Sequence, residues 1–176
     1  MSQASEVKPE LLEQLFGELL GTNKAQHAKT WATLVSRRTA DAGTKVCARG
    51  TEAASLFLVE SGDLEVSVTS GDEHQVLASL RRGDWFGELG LISPGVGTAD
   101  VMATTRCTLF ELDQAGWNAL KAQDPAAARA LLHHVNDVLS RRILAARGQR
   151  TEPAKAESGW LINLVSSFFG SKGASA

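Results

Sequence analysis

Between Arg82 and Arg106 the chain has no lysine and no arginine, yet the stretch GDWFGELGLISPGVGTADVMA, residues 83–103, has the make-up of a loop that holds an anion. Gly87 permits close backbone approach, and amides at the start of a short helix after it form an anion pocket. Glu88 follows at once, and Phe86 and Leu89 on either side are expected to be core residues. An anion site without a cation is the first contradiction this sequence poses.

The other chemistry-bearing residues are sparse. The four histidines are His27, His74, His133 and His134, with no His-x-His pair. Adjacent His133 and His134 point to different faces of a helix and so do not chelate together. There is no nucleophile motif, no pair of catalytic carboxylates and no Gly-x-x-x-x-Gly-Lys loop. Neither an enzyme nor a metal site is expected. Cys47 and Cys107 lie 60 residues apart with no Cys-x-x-Cys pattern, which favours reduced, buried thiols and a cytoplasmic setting.

The elements that must position these residues are legible in outline. The chain has 176 residues, 43% of them hydrophobic, enough for one domain with a real core. Its net charge of −2 gives no general pull toward nucleic acid or acidic lipid. The N-terminus MSQASEVKPE has no basic region followed by an apolar run, so no signal peptide is expected. No apolar run is long enough to cross a bilayer.

Residues 9–35 read as N-terminal helices. Leu11, Leu12, Leu15, Phe16, Leu19 and Leu20 recur at helical spacing between Pro9 and Gly21, and Asn23 is placed to cap a second helix. Residues 36–113 change period. Short alternating runs are broken by Ser61-Gly62-Asp63, Ser70-Gly71-Asp72 and Arg82-Gly83-Asp84, turn signals at close intervals that suggest an all-β barrel or sandwich. In the closing strands Val101, Ala103 and Thr105 alternate with Met102, Thr104 and Arg106. Residues 114–147 are helical again, with Asp113 and Asp124 as caps and Pro125 at the first helical position. Leu131, Val135, Val138, Leu139 and Ile143 give the longer helix one apolar face. Arg141, Arg142, Arg147 and Arg150 cluster near its end, where cations suit the helix dipole; a nucleic-acid patch is disfavoured by the balanced charge.

Residues 148–158, GQRTEPAKAES, read as a polar linker. Residues 159–171 then form an amphipathic tail helix, with Trp160, Leu161, Leu164, Val165, Phe168 and Phe169 on one continuous arc and no charge from 159 to 169. Such a face must be buried on its own domain, in a partner's groove or on a membrane. Lys172 alone offers a cation to lipid, so a protein partner or self-docking ranks above a membrane.

The order of these parts, with AGTKVCARGTEAASLFLVESGDLEVSV, LRRGDWFGELGLI and TADVMATTRCTLFEL, resembles the cyclic nucleotide-binding domain family over residues 31–145. The resemblance implies a mainly β fold with flanking helices, a jelly-roll-type β-roll between N-terminal and C-terminal helices. It implies a phosphate-binding cassette at Phe86, Gly87, Glu88 and Leu89, with Glu88 accepting a hydrogen bond from a ribose 2′-hydroxyl. It also implies an arginine in the pattern Arg-x-Ala-x-Val that pairs with the cyclic phosphate. Here that pattern reads Gly97-Thr98-Ala99-Asp100-Val101, and no register slip supplies a cation. Losing one charge-assisted hydrogen bond costs about 1.5–3 kcal/mol. Glu88 is then better read as holding the cassette's shape through local backbone amides, and alternation turns Asp100 away from the pocket.

The expectation is therefore a non-enzymatic regulatory protein, with no cofactor and with cyclic nucleotide bound weakly or not at all. It would act through a protein partner of its helices or tail, with a homodimer through residues 125–147 as one form and bacterial origin suggested by the stand-alone arrangement. The alternative is a genuine sensor whose C-terminal helices and tail switch when ligand binds. No nucleic-acid partner is expected, because the roughly 30 residues after the long helix are too few for a helix-turn-helix domain.

Overall fold

The computed structural model describes residues 7–148. The linker beyond Gly148 and the tail with Trp160, Leu161, Leu164, Val165, Phe168 and Phe169 lie outside the described residues, as do the side chains of Val138, Leu139, Arg141, Arg142, Ile143 and Arg147.

Two helices come first, α1 (Pro9–Leu20) and α2 (Lys24–Leu34). Ten strands follow: β1 (Ser36–Ala40), β2 (Lys45–Cys47), β3 (Glu52–Ala53), β4 (Leu56–Ser61), β5 (Leu64–Ser70), β6 (Glu73–Leu80), β7 (Trp85–Phe86), β8 (Gly95–Val96), β9 (Asp100–Ala103) and β10 (Cys107–Leu112). The short α3 (Glu88–Ile92) interrupts them after β7, and α4 (Gln114–Gln123) and α5 (Pro125–Gly148) close the described chain. The strands form two four-stranded sheets, ordered β1-β10-β4-β7 and β2-β9-β5-β6, with a two-stranded β3-β8 pair. Every pairing is antiparallel.

This is a mainly β roll with flanking helices, as the sequence suggested. The turns at Gly62, Gly71 and Gly83 all have positive φ, between 61° and 91°, a backbone region that glycine enters without the strain other residues meet. They connect β4 to β5, β5 to β6 and β6 to β7.

Strand β4 shows how the layers are tied together. Its residues Leu56–Val59 are all buried, and period-2 alternation sends them to opposite sides. Phe57 and Val59 join the core between the two sheets, with Val66, Phe86, Val101 and Leu109. Leu56 and Leu58 join a second core under the helices, with Phe16, Trp31, Trp117 and Leu131. Strand β10 does the same, Leu109 facing the roll and Phe110 facing the helices. Leu12, Phe16, Leu19 and Leu20 of α1 are buried there too, so that apolar stripe is core packing.

The caps divide. Asp113 accepts from the Gly116 N–H at 2.7 Å, and Asp124 accepts from the Ala127 N–H at 3.0 Å. Asn23 makes no side-chain cap. Its φ/ψ of −94°/48° is not the extended conformation that aims a cap side chain back at the helix, and its carbonyl alone receives the Gln26 and His27 N–H groups.

Candidate functional site

Gly87 ends β7 and opens α3 at φ 88°, and a side chain there would run into the Ser55 carbonyl oxygen. Only glycine fits this corner. Its carbonyl accepts from the Leu91 N–H at 3.1 Å, which starts the short helix. Gly90 presses α3 onto β3, where an added Cβ would lie 2.7 Å from the Ala53 carbonyl oxygen. Gln114, from the start of α4, holds the other end: its Nε2 donates to the Leu91 carbonyl at 2.6 Å and to the Ala54 carbonyl at 3.3 Å. The cassette helix is thus clamped by β3 beneath it and by the first residue of α4.

Within that frame Phe86 is core, 1% exposed and stacked on Phe57 at 5.0 Å between ring centroids. Glu88 is buried, 1% exposed. Leu89 departs from expectation. It was read as core and is 38% exposed. A helix of five residues has one buried face, and here Glu88 and Leu91 occupy it three positions apart. Leu89 and Ile92 fall on the outer face.

Gly97, Thr98 and Ala99 form the link between β8 and β9. The Gly97 N–H donates to the Thr51 carbonyl at 2.7 Å, and the Gly97 carbonyl accepts from the Gly50 N–H at 2.9 Å. The turn they meet is itself fixed, because the Thr51 hydroxyl donates to the Ala48 carbonyl at 2.7 Å. A Cβ at Gly97 would lie 2.9 Å from that same Ala48 oxygen. Thr98 is half-buried, and Ala99 is buried in the core between the sheets. The structure therefore brings both halves of the candidate cassette against residues 48–55: Gly87 on Ser55, Gly97 on Ala48 and Thr51. Sequence reasoning missed this shared floor. The Arg49-Gly50-Thr51 turn was its only local signal.

The cations close to this floor are already engaged. Asp100 accepts from the Arg49 N–H at 2.8 Å and pairs with Lys45 Nζ at 3.1 Å. These contacts, the Arg49 amide foremost, hold its carboxyl below the usual range. Arg49 Nη1 donates to the Thr69 carbonyl at 3.0 Å. Asp100 alternates with buried Val101 along β9, so its side chain leaves the core side.

The histidines and cysteines stand apart from the cassette among the described residues. His133 is 83% exposed and His134 16%, on different faces of α5. Among the described residues no group of three His, Cys, Asp or Glu is placed to hold a metal. Both cysteines are free thiols. Burial pushes the Cys47 thiol up to about 11, too high for a reactive thiolate at neutral pH. No helix among the described residues is long and apolar enough to cross a membrane.

Comparison with known proteins gives this geometry a lineage. The sequence profile of the family described as the cyclic nucleotide-binding domain matches residues 37–124. Among curated proteins, the chain is similar to glutaminase 1 of Bradyrhizobium diazoefficiens, 29% identical over 140 residues, covering 80% of this chain and 22% of that protein. It is also similar to the cAMP-dependent protein kinase regulatory subunit of Yarrowia lipolytica, 34% identical over 89 residues, covering 51% of this chain and 23% of the relative. The chain thus spans about a fifth of the length of the curated relatives it matches. Among solved structures, a cyclic nucleotide-binding domain from Methylobacillus flagellatus superposes with a TM-score of 0.70 at 16% identity, covering 84% of this chain and 88% of the other.

Proposed function

This chain belongs to the cyclic nucleotide-binding domain family, and we propose that it serves as a non-enzymatic regulatory module that binds cyclic nucleotide weakly or not at all and acts through a protein partner of its helices or apolar tail. The observation that carries the reading is Gly97. It stands where the family pattern places the phosphate-pairing arginine, no Lys or Arg occurs between Arg82 and Arg106, and its backbone is tied to residues 48–51. The cations of that neighbourhood, Lys45 and Arg49, are committed to Asp100 and to the Thr69 carbonyl. A cyclic phosphate would meet amides without a positive charge, a deficit of about 1.5–3 kcal/mol and roughly a tenfold to hundredfold loss in affinity.

The match to glutaminase 1 takes in about a fifth of that enzyme. Regulation, rather than catalysis, is the activity we assign.

A second reading, a true small-ligand sensor, is favoured by the cassette corner. Gly87 keeps its positive φ and Glu88 is buried at the first turn of α3. Ligand binding would then shift α4, which meets the cassette through Gln114, and with it α5. Calorimetric titration of the protein with cyclic AMP and cyclic GMP separates the two. No saturable heat into the high micromolar range supports the partner module. Tight binding of either nucleotide overturns it in favour of the sensor.

A further inference from the structure

The two longest uncharged stretches of this chain are residues 158–171, fourteen residues, and residues 89–99, eleven residues; no other run exceeds seven. In a chain that is 22% charged, both lengths call for a reason. The described one, residues 89–99, runs from the outer face of α3 through β8. It presents Leu89 at 38%, Ile92 at 37% and Val96 at 67% exposure, three of the five large apolar residues that stand exposed among the described residues. Leu89 and Ile92 lie three apart on one face of α3, and β8, which carries Val96, pairs with β3, the strand on which α3 rests. Apolar side chains standing out of an uncharged surface are the mark of something that covers them.

We propose that the segment 159–171 of this same chain docks its apolar arc, led by Trp160, Leu164 and Phe168, on the face made by Leu89, Ile92 and Val96. The chain's own dimensions support this occupant. Leu91 of α3 and Val135 of α5 border one core. Helix α5 runs on from Val135 for 13 residues to Gly148, about 20 Å at 1.5 Å per residue. The ten residues 149–158 reach about 35 Å when extended, enough to bring residue 159 back to α3. The tether holds the segment at an effective concentration of about millimolar, so a small apolar face suffices without a second copy. Lipid is the weaker occupant. The connecting residues Arg150, Glu152, Lys155 and Glu157 sum to zero charge, and Lys172 is the sole cation beyond them, whereas a surface-bound helix leans on clustered basic residues. The inference deepens the preceding reading, and rests on it for the tail as the contact element: docked on α3–β8, that element is withheld until a partner competes for it.

The test uses the full chain without nucleotide or partner, so its failure leaves the nucleotide titration untouched, and the reverse. Amide spectra and hydrogen exchange are recorded for wild type, for Leu164→Asp and for Val96→Asp, a substitution at an exposed site whose unchanged melting temperature shows an intact fold. Docking predicts that Leu164→Asp shifts the amides of residues 89–97 and speeds their exchange by about tenfold, and that Val96→Asp moves the Trp160 indole N–H toward its random-coil position. Both effects should be independent of protein concentration. Mutual indifference of the two segments overturns the proposal. So does a concentration-dependent effect, which would make the occupant a second copy. Trp160 shifting only when anionic vesicles are added, with residues 89–97 silent throughout, would assign the tail to lipid instead.

Discussion

The backbone N–H of Gly97 donates to the Thr51 carbonyl at 2.7 Å, and the answering bond from Gly50 to the Gly97 carbonyl closes a two-way link between β8–β9 and the turn before β3. Gly97 is thus a structural joint. An Ala48 oxygen sits 2.9 Å from where a side chain would begin, and it is a backbone atom that cannot swing aside.

Gly97→Ala is therefore expected to destabilise the fold even though it adds one methyl group at a half-buried site. Overpacking against fixed backbone costs about 1–3 kcal/mol. For a chain of this size that lowers the melting temperature by roughly 3–10 °C. Thermal unfolding followed by circular dichroism checks it. A melting temperature equal to wild type would show that the 48–51 turn yields freely, and that the cassette floor is softer than its hydrogen bonds imply.

Asp124 is the second joint. Its carboxylate caps α5 through the Ala127 N–H, accepts the Thr30 hydroxyl at 3.2 Å, and lies 3.7 Å from His27 Nε2. His27 is buried, with Nδ1 donating to the Leu20 carbonyl at 2.6 Å, so its other nitrogen faces Asp124. One side chain ties α2 to the start of α5. Asp124→Ala should cost about 1–2 kcal/mol, the range for a lost cap, and should speed hydrogen exchange in the first turn of α5 before it does so in β4. Uniform acceleration across the fold would mean that α5 does not loosen separately.

How far the sequence led depends on where periodicity was strong. The alternation of Val101 with Met102, and the glycine turns at 62, 71 and 83, placed the roll because they encode burial and positive φ locally. Strand β1 was not individually legible. Its residues Ser36, Arg37, Arg38 and Thr39 are exposed, and Arg37 and Arg38 are held by Glu60 and Glu111 across the sheet, a pattern with no apolar alternation. Strands β3 and β8 span two residues each and have no period to read. Gly97 drew attention through its place in the expected family pattern, but its partners at 48–51 were not visible, since a backbone bond to a distant turn leaves no residue type behind. Leu89 misled because membership in a motif was taken for burial, while five residues of helix leave little choice of face.

Asp100 supplies a pH signature. Its carboxyl is held below its ordinary value of 3.8, first by the Arg49 amide and then by Lys45. A carboxyl depressed in the folded state stabilises fully above its unfolded pKa and loses that contribution as pH falls through the lower, folded value. Wild type should therefore be more stable than Asp100→Asn at pH 6, and the difference should stay level down to about pH 4 and shrink below it. Melting temperatures of the two proteins at several values between pH 2.5 and pH 6 give the comparison. A gap that persists unchanged at the acid end would assign the effect of the substitution to packing, and the Asp100 carboxylate would not be what fastens β9 to the turn that supports Gly97.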